Sequence, residues 1–341
     1  MSKITKVAGI DFDTVVFRQA LRLQGDTFDI DPEYETVITN DQIEEAYEAV
    51  EAELKTIMFN TKCTEYIVFL TGSTNFRYNI LPSYKWRRKN SPRPIALQEL
   101  KELCLARLNC VLQEGVEADD TSIMWFTHDE SEAGIRKVLC HVDKDLDQVA
   151  GQHYNYDKDL HYNVTQEDAD AFLWLQVLAG DTADCYKGCP NVGNERPKGK
   201  PNEHSKAERI VYGTLCTKPV IKRFTRGAKA GMSEIKWKDY HDNTLDVKER
   251  VLLWYIKGYV TKGGQGHVLG FNTTSGYEDN VTIKESDLLF DINDNYLGVK
   301  KRALDFVKEE MNIQYLVARM LRYGEEIPQS YTTIKEIIWV L

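Results

Sequence analysis

Proline is scarce, at 9 in 341 residues, and long apolar runs are missing: the longest uncharged one, 171–180, is about half the length a membrane-spanning helix needs. Low-complexity tracts and internal repeats are absent, which excludes fibrous, disordered and solenoid architectures. Cysteine is present without metal-finger spacing. The seven thiols, Cys63, Cys104, Cys110, Cys140, Cys185, Cys189 and Cys216, are odd in number and include no CxxC pair. Cys185 with Cys189 has no second half of a zinc site, so reduced, packed thiols are expected. Lys3 and Lys6 lead straight into a strand-like segment, so no signal peptide is expected. These absences give the expectation of a cytoplasmic protein with no membrane partner.

A positive charge excess is also lacking. Forty-three basic against 53 acidic residues leave −10, which argues against uniform coating of a polyanion. The distribution is uneven. Lys85, Arg87, Arg88, Lys89 and Arg93 lie in an acid-free stretch, and so do Lys218, Lys222, Arg223, Arg226 and Lys229. Such patches can hold a phosphate backbone locally or serve as solvated faces. What remains is an ordinary globular composition, 42% hydrophobic and 11% aromatic, enough for one large core or two modest ones.

The first half alternates strand-like and helix-like segments, the pattern of a mostly parallel α/β sheet with helices on both faces. Strands are expected at 7–12, 66–70, 138–142 and 153–156. Ile43, Ala46, Tyr47, Val50, Leu54 and Ile57 recur at helical spacing after Asn40. Leu97, Leu100, Cys104, Leu108 and Val111 predict a second helix ending at Gly115. Thr165 and Asp168 form a capping-box pattern opening a helix that stops at Gly180. Turn and loop follow at 187–206, then helices at 249–260, 302–310 and 313–321, with a loop at 262–266.

Acids cluster where the expected strands end. Asp11 and Asp13 end the first strand, Glu117, Asp119 and Asp120 follow the turn at Gly115, and Asp143, Asp145 and Asp147 end the third strand. Asp181 and Asp184 follow the Thr165 helix. The C-terminal edge of a parallel sheet is the usual ligand crevice, and converging carboxylates there require neutralisation. Oxygen donors without His or Cys suit magnesium or manganese. For Asp13 and Asp147 taken alone, a turn or capping role is the preferred reading.

Several segments in order, Gly9-Ile10-Asp11, Asn75-Phe76-Arg77, Leu81-Pro82-Ser83-Tyr84-Lys85, Val116-Glu117-Ala118-Asp119-Asp120, Val142-Asp143-Lys144-Asp145-Leu146-Asp147 and Gly180-Asp181-Thr182-Ala183-Asp184 with Lys187-Gly188, resemble the 5′-nucleases of the flap-endonuclease superfamily. The resemblance spans 7–233 and is nearest to the 5′→3′ exonucleases of short-tailed phages. It implies a PIN-like nuclease core at 1–178 and a helix-hairpin-helix DNA-binding region at 179–234. A C-terminal helix at 311–341 would return to the core, and 235–310 would be an inserted segment. It further implies two Mg²⁺ ions, replaceable by Mn²⁺, about 4 Å apart. Asp11, Glu117 and Asp119 would hold one, Asp143, Asp145 and Asp181 the other, with Asp120 and Asp184 as supporting ligands. Lys85 and Arg88 would be catalytic at the scissile phosphate, and Arg18, Arg77, Tyr84, Lys187, Gly188 and Gly193 would contact DNA, with a K⁺ ion at the hairpin.

The implied activity is 5′→3′ hydrolysis of duplex DNA at ends, nicks or flaps, in phage replication and recombination alongside phage replication proteins. One departure stands out: Leu70-Thr71 occupies the end of the second strand, where many members of the family carry an aspartate. Two rivals remain open. One is a haloacid-dehalogenase-type phosphatase with Asp11 as nucleophile and Asp13 as acid/base. The other is a non-catalytic DNA-end-binding protein, motivated by Leu70.

Overall fold

A computed structural model describes residues 5–25, 38–130, 133–200, 202–261 and 283–328. It divides into two units: Met1–Asn79, Arg88–Asp170 and Arg319–Gln329 form the first, and Ile80–Arg87, Ala171–Ala318 and Ser330–Leu341 the second. The first unit carries a six-stranded sheet. Its strands are β1 (Thr5–Asp11), β2 (Glu65–Thr71), β3 (Cys110–Gln113), β4 (Ile135–His141), β5 (Gly151–Asn155) and β6 (Leu160–Val164). Their order is β3-β2-β1-β4-β5-β6, parallel except for β6, which returns antiparallel to β5.

Side chains alternate across this sheet. Ala8, Ile10, Val68, Leu70, Val138 and Cys140 face one layer of helices. These are α1 (Asp13–Gly25), α2 (Asn40–Thr61) and α4 (Leu97–Arg107), which follows the short α3 (Arg77–Ile80). Val15, Val16, Val50, Leu54, Leu100 and Cys104 fill that layer, each large aliphatic contributing about 1.5–3 kcal/mol by burial. On the other face α5 (Ala118–Thr127) packs Ile123 against Leu139, Leu146, Val149 and Met320. Gly9 is required there, because a Cβ at this position would stand 2.1 Å from the Trp125 ring.

The expected strands at 7–12, 66–70, 138–142 and 153–156 correspond to β1, β2, β4 and β5. The helix expected to run to Gly115 stops at Arg107: Leu108 turns extended, its N–H donating to the Cys104 carbonyl oxygen, and Cys110–Gln113 pairs with β2 as β3. Periodicity continued through that break because Cys104, Leu108 and Val111 keep helical spacing by coincidence. In the Thr165 turn the Asp168 N–H donates to Thr165 Oγ1 at 3.1 Å, opening α6 (Gln166–Ala179).

The second unit contains α7 (Lys206–Val211), a hairpin of β7 (Cys216–Arg223) and β8 (Ser233–Tyr240), and α8 (Val247–Tyr259). The two-residue pair β9 (Val260–Thr261) and β10 (Ile283–Lys284) follows, then β11 (Leu288–Phe290), β12 (Tyr296–Val299) and α9 (Lys301–Ala318). Two expectations about these segments are revised. The range 179–234 ends inside a β-hairpin, pairing Arg223 with Ser233, rather than forming helix-hairpin-helix throughout. The described parts of the expected insertion at 235–310 carry α8, β9 to β12 and most of α9. The helices expected at 302–310 and 313–321 are one helix, whose apolar positions Ala303, Val307 and Met311 are all buried. The expected loop at 262–266 and the segment 329–341 lie outside the described residues.

Glu310 of α9 is 4% exposed and bonded to Tyr259 of α8. Burial, reinforced by Glu309, pushes its carboxyl up from 4.5 to about 8. Between those values the folded state binds a proton that the unfolded state has lost, so stability falls as pH rises through that window. Glu310→Gln should flatten that decline and gain up to about 4 kcal/mol over the native chain at pH 8. Urea midpoints measured across this window test it, and parallel curves for the two proteins would refute it.

Candidate functional site

β1 and β4 run parallel with Ile10 beside Cys140, so Asp11 at the end of β1 is level with His141 at the end of β4. Asp11 is buried, and its carbonyl oxygen accepts the Tyr156 hydroxyl at 3.0 Å. Burial, with the Asp11 charge beside it, raises that phenol well above its ordinary value. Beyond β4, Asp143 caps a 3₁₀ turn at Lys144–Gln148, its Oδ1 accepting the Asp145 N–H at 2.9 Å. Asp145 is buried and Asp143 exposed. Glu117 is the N-cap of α5 and Asp119 lies in its first turn. The Ala118 N–H donates to Thr71 Oγ1 at 2.9 Å, fixing that helix start to the end of β2. The first unit thus carries Asp11, Glu117, Asp119, Asp143 and Asp145 along one edge of its sheet.

Asp120 and Arg77 form a bidentate pair at 2.6 and 2.8 Å, both fully buried. Asp120 also accepts the Glu117 N–H at 3.2 Å and the Leu321 N–H at 3.0 Å. Arg77 Nη2 donates to the Arg319 carbonyl oxygen at 2.8 Å, and Nη1 lies 3.7 Å from Glu117. Arg77, expected as a DNA contact, has no exposed surface, and both oxygens of Asp120, expected as a supporting ligand, are engaged within the first unit.

In the second unit, Asp181 and Tyr186 exchange backbone hydrogen bonds at 2.9 and 3.1 Å. Gly180 and Gly188 both have positive φ, and a Cβ on Gly188 would reach 2.3 Å from the Gly180 nitrogen, so this turn demands glycine. Asp181 Oδ1 accepts the Ala183 and Asp184 N–H groups. Asp184 accepts the Tyr84 hydroxyl at 3.0 Å and, through its carbonyl, the Lys85 N–H at 2.9 Å. Lys85 Nζ stands 3.7 Å from the same carboxylate. Tyr84, expected as a DNA contact, is 1% exposed, with its hydroxyl on Asp184. The Gly188 N–H, expected at DNA, donates to Gln314 Oε1 at 2.9 Å. Asn191 adopts φ 62° as the turn requires, but Lys206 Nζ already donates to its carbonyl oxygen at 2.7 Å, where the expected K⁺ would compete.

Lys187, Gly193 and Arg88 are exposed. Arg18 pairs with Asp157 at 2.6 Å. The second basic patch lies on the β7–β8 hairpin, with Lys218, Lys222, Arg226 and Lys229 exposed and Arg223 paired to Asp294 at 2.7 Å.

The phosphatase reading needs Asp13 as an acid/base. Asp13 instead holds Lys101 at 2.8 Å and accepts the Thr71 N–H at 3.1 Å. Leu70 is buried in the core, so the hydroxyl of Thr71 takes the strand-end position beside α5. Sequence reasoning missed His141 and His153, both buried, with burial pushing each imidazole down to about 4. With Asp147 they bring three ligand atoms within 4.8 Å of one another, a spacing the sheet-edge carboxylates do not reach in threes among the described residues. The evenly spaced His141, Asp147 and His153 were the available signal.

Arg77→Met should destabilise the chain by about 3–5 kcal/mol, because it strands a buried carboxylate. Urea unfolding checks this, and a loss below about 1 kcal/mol would mean the pair is not structural.

No family model matches this sequence. It is similar to the exonuclease of Escherichia phage T7, 22% identical over 175 residues, covering 50% of this chain and 55% of that protein. The chain therefore spans about half the length of the curated relative it matches. Among solved structures it is similar to the T5 D15 protein co-crystallised with metal ions, at 18% identity and a TM-score of 0.42, covering 55% of this chain and 71% of that one. A bacteriophage T5 D15 flap endonuclease in complex with DNA and metal ions gives 16% identity and a TM-score of 0.41 over 55% of this chain and 71% of that one. In sequence, then, the resemblance of this chain is to a phage exonuclease.

Proposed function

We propose that this chain is a divalent-metal-dependent 5′→3′ nuclease that hydrolyses phosphodiester bonds of duplex DNA at 5′ ends, nicks or flaps, in phage replication and recombination. The carrying observation is the row of carboxylates, Asp11, Glu117, Asp119, Asp143 and Asp145, along the C-terminal edge of a parallel sheet, where ligands of such folds bind. The sequence match to a phage exonuclease supports it. The donor set fits a hard cation: every member is a carboxylate, Asp11, Glu117 and Asp145 are buried, and the buried guanidinium beside them is committed to Asp120. Magnesium retains several of its waters, so these residues need not crowd to direct-contact spacing.

Asp11, Glu117, Asp119, Asp143 and Asp145 would hold the metal, which when bound supplies Lewis-acid charge at phosphoryl oxygens and lowers the pKa of a water. The remaining work belongs to the chain. Thr71 and the Arg77–Asp120 pair set the position of Glu117 and Asp119. Asp143 orients Asp145 through its backbone N–H. Lys85, whose backbone N–H donates to the Asp184 carbonyl oxygen, and Arg88 would supply positive charge to the scissile phosphate.

The test is end-labelled nicked duplex with Mg²⁺ or Mn²⁺. The native chain should release 5′-phosphorylated products, and Asp145→Ala should abolish release while still binding DNA. No cleavage by the native chain with either metal would overturn the proposal, and undiminished turnover in the variant would remove Asp145 from the ligand set. Lys85→Ala should slow single-turnover cleavage by roughly 10²-fold; an unchanged rate would make it a surface lysine.

A further inference from the structure

We propose that His141, Asp147 and His153 form a separate site for a zinc-like divalent cation, clamping the turn that carries Asp143 and Asp145. The argument starts from tautomers. His141 Nδ1 lies 2.6 Å from the Asp143 carbonyl oxygen, and His153 Nε2 lies 3.0 Å from that of Val149. A carbonyl only accepts, so each of those nitrogens carries the proton. The other two, His141 Nε2 and His153 Nδ1, then face each other at 2.9 Å with a lone pair each. Two lone pairs at that distance repel unless something positive joins them.

A carboxylate is aimed at the same point. Asp147 Oδ1 lies 3.8 Å from both facing nitrogens. Tyr162 donates its hydroxyl to that oxygen at 2.7 Å, orienting it. Two imidazoles whose far N–H groups are fixed by carbonyls, with a hydrogen-bonded carboxylate between their near nitrogens, are the arrangement of a metal-ligating pair and its supporting shell. On a tetrahedral ion with bonds of about 2.0–2.1 Å the two nitrogens would stand roughly 3.3 Å apart, a shift of a few tenths of an ångström from 2.9 Å. Nitrogen donors with one carboxylate favour zinc over magnesium, and the half-buried Asp147 leaves its side open for a water as fourth ligand.

The site is distinct in ligand type from the sheet-edge carboxylates. His141 ends β4, Asp147 closes the 3₁₀ turn and His153 lies on β5, so one ion would cross-link the two strands around residues 142–148. Phe126 packs edge-on against His153 at 5.6 Å, sealing the inner side.

The full chain, stripped by chelator, is titrated with Co²⁺ and with Zn²⁺ in excess Mg²⁺, following visible cobalt absorption, bound-metal content and thermal midpoint. One equivalent should bind with the absorption of a nitrogen-ligated, low-coordinate cobalt, and zinc should raise the midpoint. Asp147→Asn and His153→Gln should each weaken binding at least 10-fold with unchanged circular dichroism, while Asp11→Asn should bind as the native chain does. Should His153→Gln not fold, Asp147→Asn, on a half-buried side chain, decides alone. Absence of the cobalt band and of any zinc shift would overturn the proposal in favour of a proton shared between the imidazoles. Equal binding by Asp147→Asn, or loss in Asp11→Asn alone, would overturn it as well. None of these readouts depends on nuclease activity.

Discussion

The buried ion pair between Arg77 and Asp120 is the joint on which the carboxylate edge depends. It ties three segments of the first unit together: the start of α3, the first turn of α5 and the irregular stretch at Arg319–Leu321. Burying two charges is costly, and the cost is offset here because both Asp120 oxygens and the guanidinium find further backbone partners. The consequence is positional. With Asp120 locked, Glu117 and Asp119 at the start of the same helix are fixed in place, Glu117 also through its own approach to Arg77 at 3.7 Å.

That logic sorts the remaining acids. A carboxylate beside a cation of its own unit is held by it, as Asp13 is by Lys101 at 2.8 Å. Asp11, Asp119, Asp143 and Asp145 follow strand ends or open the helix after one, which is the position the proposed metal site requires of them. Asp147 belongs to a third category, set among neutral imidazoles and a phenol, and it matches neither a turn residue nor an oxygen-only metal centre.

Lysine and tyrosine in the second unit follow the same rule. Tyr84 and Lys85 were expected at the nucleic acid because their segment resembles that of the 5′-nucleases. Tyr84 is buried with its hydroxyl on Asp184, and the Lys85 backbone is bonded to the same residue, partners that the motif does not name.

By itself the sequence determined the parallel core and the register of acids to strand ends, because buried strands are short apolar runs and their length is set by local chain geometry. Gly9, Gly180 and Gly188 were legible as motif members, although the reasons for them, the Trp125 ring and the crossing backbones, came from packing. Only the tertiary structure decided where α4 gives way to β3, since apolar spacing is blind to a two-residue break. It also decided which charges were taken. Arg77 meets Asp120 across 43 residues and His141 meets His153 across 12. A chain reveals which groups it owns, but partner choice between distant groups is settled by folding, through the desolvation that forces each buried charge or lone pair to find its complement.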